Sequence, residues 1–258
     1  MTAAACASGT GFRAEADMLD YLARSPLFAH RMNPLFEIPC TAGVPDIVFI
    51  QFDEKGLAER APRTALTDLT ELRVMMAVAG GRGRALRPWV ADDVASHVHL
   101  TSTYLRRSVL PRLVAGGHLE RVGKQWMPMY RYRSLAKRIV TVEAKLRDWR
   151  GAIAQASRHR GVADAAWVAI DEAAARAALG NQHWFTTYGI GLATVSLDGV
   201  VRAVIDPRSR RCVNAERELL AERAAGLHLA GRVSGDIHPV FGQTLLATTG
   251  VDPRLAGV

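Results

Sequence analysis

The sequence predicts an α/β protein, because short apolar segments with strand character alternate with segments of helical periodicity. The clearest strand-like runs are residues 45–51, 138–146 and 165–171. A helical pattern precedes all of them in residues 12–24, and another separates the last two in residues 148–160. This alternation places the chain in the α/β class.

Composition narrows the class further. The chain has 258 residues, 49% of them hydrophobic and 22% charged, which excludes a disordered tail or a collagen-like fibre and allows one large domain or two small ones. No apolar run approaches the roughly 18 residues of a membrane helix, and residues 1–10 lack the basic start of a signal peptide. Cys6, Cys40 and Cys212 lie far apart and form no CxxC pair. We therefore expect a cytoplasmic protein with no membrane contact and no cysteine-based zinc site.

The first predicted helix, residues 12–24, carries an acid on its apolar face. Glu15, Met18, Leu19 and Leu22 have the spacing i, i+3, i+4, i+7 of one helical face. A carboxylate buried in such a stripe needs a charged partner or a metal.

Two strands and a polar segment follow this helix. Residues 36–40 and 45–51 have strand-like composition, with a turn signal at Ala42 and Gly43 between them. Residues 52–63 are polar and contain a glycine and a proline, so we interpret them as a linker.

The middle of the chain predicts helices followed by a β-hairpin. The helices are residues 66–79, 90–98 and 101–115, the last with Thr101 or Ser102 as N-cap, and the hairpin is 118–122 with 125–132. A flexible basic loop at residues 80–84 follows the first helix. Three helices followed by a hairpin is the order of a winged helix.

The last part of the chain returns to alternating strands and helices. After the strand at 138–146 and the helix at 148–160, the sequence predicts a strand at 165–171 and a helix at 171–179. A hairpin formed by 191–197 and 200–205 and a helix at 214–225 follow. Asp198-Gly199 is the turn signal of that hairpin. Residues 226–258 show little periodicity.

The formal charge of +8 is concentrated in one segment. Residues 61–138 contain 14 Lys and Arg against 5 Asp and Glu, whereas the rest of the chain contains 19 against 20. A basic module in a neutral frame indicates a polyanionic partner, most simply nucleic acid. The alternative is an ordinary arginine-rich surface.

Carboxylates and a lysine are the candidate catalytic groups. Glu143 and Lys145 point to the same face of one predicted strand, and Asp46 begins another. If these strands pair, the carboxylates would hold Mg²⁺ or Mn²⁺. A lysine beside such a metal can orient or deprotonate a water and stabilise the charge of the transition state in phosphodiester hydrolysis. The alternative is a surface turn and an exposed Glu-x-Lys, but both motifs lie in apolar strand-like runs.

The sequence resembles the PD-(D/E)xK, or restriction-endonuclease-like, nuclease superfamily. The matching motifs are GVPDIVFI (43–50), VTVEAKLRDW (140–149), AIAQASRH (152–159) and GIGLATVSLDG (189–199). The resemblance covers about two-thirds of the chain and implies a core with a mixed central sheet.

The resemblance implies roles for individual residues. Asp46 and Glu143 would be ligands of Mg²⁺ or Mn²⁺, Lys145 the catalytic lysine and Glu15 the acid of the first helix and a third possible ligand. Gln155 lies where many relatives have the Gln of a QxxxY motif, although His159 replaces the Tyr.

The two motif strands are far apart in the chain. Asp46 and Glu143 are separated by 97 positions, and a folded insertion in a surface loop costs its host little closure entropy. We therefore predict a discontinuous nuclease core (11–60 and 135–225), an inserted DNA-binding domain (61–134) and a C-terminal extension (226–258).

The segment 89–133 resembles a winged helix-turn-helix. In its second helix, the residues left to face a DNA major groove are Thr101, Ser102, Thr103, Arg106 and Arg107. The wing carries Arg121, Lys124, Gln125, Trp126, Arg131 and Arg133 for phosphate or minor-groove contact. Winged helices also mediate protein contacts, and Trp126 and Tyr130 could instead belong to the core.

The favoured function is Mg²⁺-dependent cleavage of double-stranded DNA in defence or repair, by a cytoplasmic, nucleoid-associated protein. The sequence leaves open whether the protein forms a homodimer. The alternative is a non-enzymatic DNA-binding regulator that retains a nuclease-like scaffold, and a third hypothesis is a nuclease that acts on RNA. His183 and Trp184 precede a strand-like run, and the sequence assigns them no role.

Overall fold

The computed structural model describes residues 11–80 and 85–234. Strands within these ranges are β1 (Asn33–Phe36), β2 (Ile47–Phe52), β3 (Leu119–Val122), β4 (Gln125–Pro128), β5 (Ala136–Lys145), β6 (Ala165–Asp171), β7 (Gly191–Val195) and β8 (Val201–Ile205). Helices there are α1 (Ala16–Arg24), α2 (Pro26–Ala29), α3 (Glu54–Arg60), α4 (Leu69–Ala79), α5 (Ala91–Val98), α6 (Ser102–Tyr104), α7 (Leu110–Ala115), α8 (Trp149–His159), α9 (Arg176–Leu179), α10 (Gln182–Tyr188) and α11 (Ala215–Leu229).

A mixed sheet forms the centre of this α/β protein. Its six strands in the described part of the chain have the order β1-β2-β5-β6-β7-β8. β5 pairs antiparallel with β2 and parallel with β6, while β8 returns antiparallel to β7. β6 is buried along its whole length, which explains why residues 165–171 have an almost continuous apolar composition.

Helices cover both faces of the sheet. α1 packs Met18, Leu19 and Leu22 against one face of the sheet. α2 adds Phe28, whose ring contacts Phe49 and Trp167. α8 and α10 cover the opposite face at β6 and β7, and α3 and α11 cover it at β1 and β2. The sheet is therefore the middle layer of a three-layer core.

The segment between β2 and β5 forms most of a second hydrophobic core, to which α11 adds Leu219. α4, α5 and the helix 102–115, in which a π-helical turn at Leu105–Val109 joins α6 to α7, bury their apolar residues together. Trp89 and Trp126 form an isolated bridge beside the β3–β4 hairpin. Thr101 caps the helix 102–115 by accepting from the Tyr104 N–H, as the sequence predicts.

Several predicted elements are corrected. The strand expected at 36–40 lies at Asn33–Phe36, because Glu37 adopts a positive φ of 48° that breaks the extended backbone. The segment 52–63 is not a linker but contains α3, whose Leu57 is buried against the sheet.

Further corrections concern the C-terminal half. The helix expected at 171–179 is a 3₁₀ turn at Glu172–Ala174 followed by the short α9, and the sequence pattern did not indicate α10. α11 continues to Leu229, beyond the predicted end at 225, and Leu227 in the added turn packs against the core.

Some predictions lie outside the described residues. These concern the N-terminal segment with Cys6, the basic loop at 81–84 and most of the extension at 226–258. In the ranges that the structure describes, no helix combines the length and apolar character needed to cross a membrane.

Candidate active site

The sheet brings together motif residues that lie far apart in the chain. Asp46 immediately precedes β2, and Ile47 is paired with Val142 of β5. This register carries Asp46 to the end of β5, where its Oδ2 accepts a 2.7 Å hydrogen bond from the Ala144 N–H. The predicted convergence of Asp46 with Glu143 and Lys145 is therefore observed.

The Lys145 ammonium lies at the centre of this cluster. Its Nζ is 3.1 Å from Glu15 Oε2, 3.6 Å from Asp46 Oδ2 and 3.9 Å from Glu143 Oε2. It also donates a 3.0 Å hydrogen bond to the Ala144 carbonyl. Glu15 reaches the cluster because α1 buries Met18 and Leu19 against the sheet and thereby fixes its own start beside β5.

The charges of the cluster influence one another. Burial, followed by the nearby charge of Glu143, raises the pKa of Asp46 to about 6, although Lys145 and the Ala144 N–H act in the opposite direction. Burial acts to lower the pKa of Lys145, but Asp46 and Glu15 outweigh it and raise that pKa above its usual value. In this arrangement the Lys145 side chain is therefore a charged hydrogen-bond donor at neutral pH.

Glu143 is the most deeply buried carboxylate of the cluster, with 1% of its surface exposed. Its Oε1 lies 3.0 Å from Nδ1 of buried His159. The two atoms are not aligned for a hydrogen bond, and neither makes one with any other described residue. One carboxylate oxygen of Glu143 is thus left with unused capacity to accept or coordinate.

Helix α8 supplies the neighbour of Glu143. His159, at the last position of α8, is the residue that lies against Glu143, whereas Gln155 lies one turn earlier and is half-buried. The sequence pointed to His159 only as the residue that replaces the Tyr of the QxxxY pattern. Gly43 adjoins the His159 ring, since a Cβ there would come within 3.4 Å of its Nε2.

The donor set fits a hard divalent cation. Glu15, Asp46 and Glu143 offer carboxylate oxygens, the donors that Mg²⁺ and Mn²⁺ prefer. Burial and, after it, the charge of Glu143 raise the pKa of Asp46, and Glu143 Oε1 has no hydrogen-bond partner among the described residues. In those residues no three His, Cys, Asp or Glu side chains form a preformed metal-binding group, so a cation would have to displace the Lys145 contacts.

The predicted DNA-facing residues lie mostly on the surface. Thr103, Arg106 and Arg107 are exposed on the helix 102–115, while Leu105 and Val109 face inward. Arg106 pairs with Asp92 at 2.7 Å. Among the other predicted DNA-facing residues, Ser102 and Arg131 are half-buried and Trp126 is buried. The remaining ones are exposed: Thr101, Arg121, Lys124, Gln125 and Arg133.

The chain has no match among protein-family models, curated proteins or solved structures. Its function therefore has to be inferred from the carboxylate cluster around Lys145 and from the basic segment between β2 and β5.

Proposed function

We propose that this protein is a divalent-metal-dependent nuclease that cleaves double-stranded DNA. The proposal combines a PD-(D/E)xK core with an inserted winged helix-turn-helix domain, in a protein of the DNA-containing cytoplasm. The observation that carries it is the meeting of Glu15, Asp46, Glu143 and Lys145 at the end of β5. Burying the Glu143 carboxylate beside two more carboxylates costs free energy. A purely structural role does not explain why the protein would bear this cost.

Asp46 and Glu143, with Glu15 as a third candidate, would hold Mg²⁺ or Mn²⁺. When bound, such a cation supplies Lewis-acid polarisation of the phosphate and a more acidic water. The Ala144 N–H holds the Asp46 carboxylate in place. His159 and the surrounding apolar residues restrict Glu143.

Lys145 performs the part of the reaction that depends on a fixed positive charge. Its ammonium can donate to a nonbridging phosphate oxygen or orient the attacking water. Lys145 and Glu143 lie on the same strand, and the hydrogen bond from the ammonium to the Ala144 carbonyl restricts the direction of the lysine side chain.

Two observations support the DNA-binding part. The order α4, α5, helix 102–115, β3 and β4, together with the Trp89–Trp126 bridge, is the order of elements in a winged helix. The excess positive charge of the chain lies in the same segment, and Arg106 and Arg107 are exposed on the helix that would enter the major groove.

The decisive experiment incubates the full-length protein with plasmid, linear duplex, single-stranded DNA and duplex RNA, each with Mg²⁺, Mn²⁺ or chelator. We expect metal-dependent cleavage of DNA. Lys145→Ala should abolish cleavage and leave duplex affinity near that of the wild type, because the insert carries most of the positive charge. Asp46→Ala and Glu143→Ala should also weaken Mn²⁺ binding in calorimetry, since each removes a ligand.

Lys55→Ala is the matched control, because Lys55 is an exposed lysine on α3, which follows the end of β2 opposite to Asp46. It should cleave like the wild type. A wild-type protein that cuts no substrate with either metal contradicts the nuclease proposal, and cleavage confined to RNA would replace DNA as the substrate.

One observation favours the alternative of a non-enzymatic DNA-binding regulator. Lys145 pairs with Glu15 and Asp46 and so offsets part of the negative charge of the cluster without a metal. Tight duplex binding that is equal with and without metal, and no cleavage, would select this alternative.

A further inference from the structure

Helices α8 and α10 enclose an aromatic groove that the proposed reaction does not use. The groove has a volume of about 340 Å³. Its walls are Trp149 and Arg150 at the start of α8, Ser157 further along α8, and Trp184 and Tyr188 on α10.

The aromatic rings of the groove are arranged for stacking. Trp184 and Tyr188 are four residues apart on α10, and their rings lie 6.0 Å apart with an interplanar angle of only 12°. They are 42% and 43% exposed, which is unusual for large aromatic side chains on a helix that packs on the core. Arg160, at the end of α8, donates a hydrogen bond to the Tyr188 carbonyl and so fixes the end of α10.

The polar groups of the groove restrict what it can bind. The Arg150 guanidinium lies 4.5 Å from the centre of the Trp149 ring, and no carboxylate is among the described residues that line the groove. Ser157 Oγ is buried and makes no hydrogen bond within the described ranges. A ligand that suits these walls is flat and aromatic, offers a hydrogen bond and carries negative charge nearby.

A nucleobase attached to its phosphate has this combination. Base stacking on aromatic side chains is a general way to bind unpaired nucleotides, whereas the faces of a base inside a duplex are covered by its neighbours. One end of the groove is connected to the candidate site by a short stretch of chain. Trp149 follows Lys145 by four residues, so their Cα atoms are at most about 14 Å apart.

We propose that the groove between α8 and α10 binds an unpaired base of the nucleic acid on which the carboxylate cluster acts. The inference rests on the proposed function and specifies its substrate as DNA with a single-stranded or flipped-out nucleotide near the scissile phosphate. Arg150 would contact the adjacent phosphate, and Trp184 and Tyr188 would stack on the base.

The test compares two single strands of equal length and charge in the presence of chelator. One is a short oligothymidylate and the other is an abasic oligonucleotide with the same number of phosphates. The full-length protein should bind the first about 5- to 100-fold more tightly, as expected for stacking of a base or two. The base-containing strand should also quench tryptophan fluorescence.

The groove variants remove the stacking surface. Trp184→Ala and Tyr188→Ala should each reduce the preference for oligothymidylate over the abasic strand at least about threefold, without changing the affinity for duplex DNA. Trp184→Phe keeps a ring and should retain most of the preference. Tyr21→Ala is the matched control, because Tyr21 is 39% exposed on α1, and it should behave like the wild type. Circular dichroism melts show whether each variant is folded.

Three results would overturn the proposal. They are a wild-type protein that binds both strands equally, a folded Trp184→Ala variant that keeps the full preference, and a Trp184→Ala variant that changes only the oligomeric state in sedimentation. Failure of the nuclease proposal gives a different result. A protein that prefers the base-containing strand but cuts nothing supports the groove and contradicts cleavage, and Lys145→Ala should leave the preference intact.

Discussion

His118 shows how the neighbours of a buried residue fix its protonation. Its Nε2 lies 2.9 Å from the Thr64 carbonyl oxygen, which can only accept, so Nε2 carries the proton. Its Nδ1 then accepts from the Tyr130 hydroxyl, also at 2.9 Å. Burial, followed by the nearby charge of Arg60, lowers the pKa of His118 to about 4. The imidazole is therefore neutral in the folded protein at pH 7.

The lowered pKa predicts a pH-dependent loss of stability. The unfolded chain has an ordinary histidine pKa of about 6.5, so it takes up the proton more readily than the folded protein. The stabilisation is complete above about pH 6.5 and is lost as the pH falls from there towards 4. At pH 5 the free energy of unfolding should have dropped by about 2 kcal/mol from this residue.

Urea unfolding of His118→Gln at pH 7.5 and 5 measures this effect. The variant should lose less stability than the wild type between the two pH values, by about the same 2 kcal/mol. His183→Gln is the matched control, since His183 is exposed on α10. An unchanged pH dependence in His118→Gln would rule out this origin.

At the scale of elements, the helix 102–115 separates a buried face from a basic one. Leu105, Val109 and Leu113 belong to the hydrophobic core of the segment between β2 and β5, while Arg106 and Arg107 are exposed. Pro111 is tolerated because it lies near the start of α7, where the backbone N–H bonds have been rearranged by the preceding π-helical turn. The basic face is therefore held rigidly on a packed element.

Replacing both arginines tests this element. Arg106→Ala with Arg107→Ala should weaken duplex binding about tenfold and lower the slope of log affinity against log salt by about 2, roughly one unit for each arginine that no longer neutralises a phosphate. The measurement is fluorescence anisotropy over a salt series.

A control that removes the same amount of charge is Arg24→Ala with Arg202→Ala. Both arginines are exposed on the core and pair with neighbouring acids, as Arg106 does. The control should change affinity much less. Equal effects of the two double variants would mean that overall charge, and not the helix 102–115, determines binding.

The helices and strands show which elements sequence patterns can predict. The helices and strands with strong periodicity and clear caps, such as α8 after Asp148 and β7–β8 around Gly199, lie where the patterns place them. α3 was missed because its sequence, EKGLAER, is polar and contains a glycine, and only its packing stabilises it.

The candidate site likewise has a part that the sequence predicts and a part that it does not. Asp46, Glu143 and Lys145 were found because each stands in a local motif on a strand. The contact of His159 with Glu143 depends on how α8 crosses β5, and the groove depends on where α10 rests against α8. Neither relation is encoded in a local pattern, so neither could be predicted from sequence.

At the scale of the whole molecule, α11 joins the sheet to the insert. Its buried Arg217 makes a two-pronged contact with Asp164, at 3.0 and 2.8 Å, and also pairs with Glu218 at 3.1 Å. Asp164 in turn accepts from the Ile139 N–H of β5. On the insert side, Leu219 enters the core of α4 and its neighbours.

Arg217→Met should destabilise the protein by about 3–5 kcal/mol, because it leaves Asp164 and Glu218 buried without their cation. Arg73→Met is the control, since Arg73 of α4 forms a more exposed ion pair with Glu216 of α11. This substitution should lower the free energy of unfolding by about 1 kcal/mol or less. Chemical denaturation measures both. A destabilisation of less than about 1 kcal/mol in Arg217→Met would show that the network is not needed for stability.

The placement of α11 also has a consequence for how the chain folds. The Arg73–Glu216 contact joins residues 143 positions apart, and Arg60–Glu222 joins residues 162 apart. During synthesis, α4 therefore leaves the ribosome long before α11, which packs against it. Until α11 is synthesised, the apolar surface of α4 that it covers stays exposed to water. Contacts between such distant parts of the chain form slowly, so assembly of the insert on the sheet should be a late step, during which chaperones have the longest access to α4.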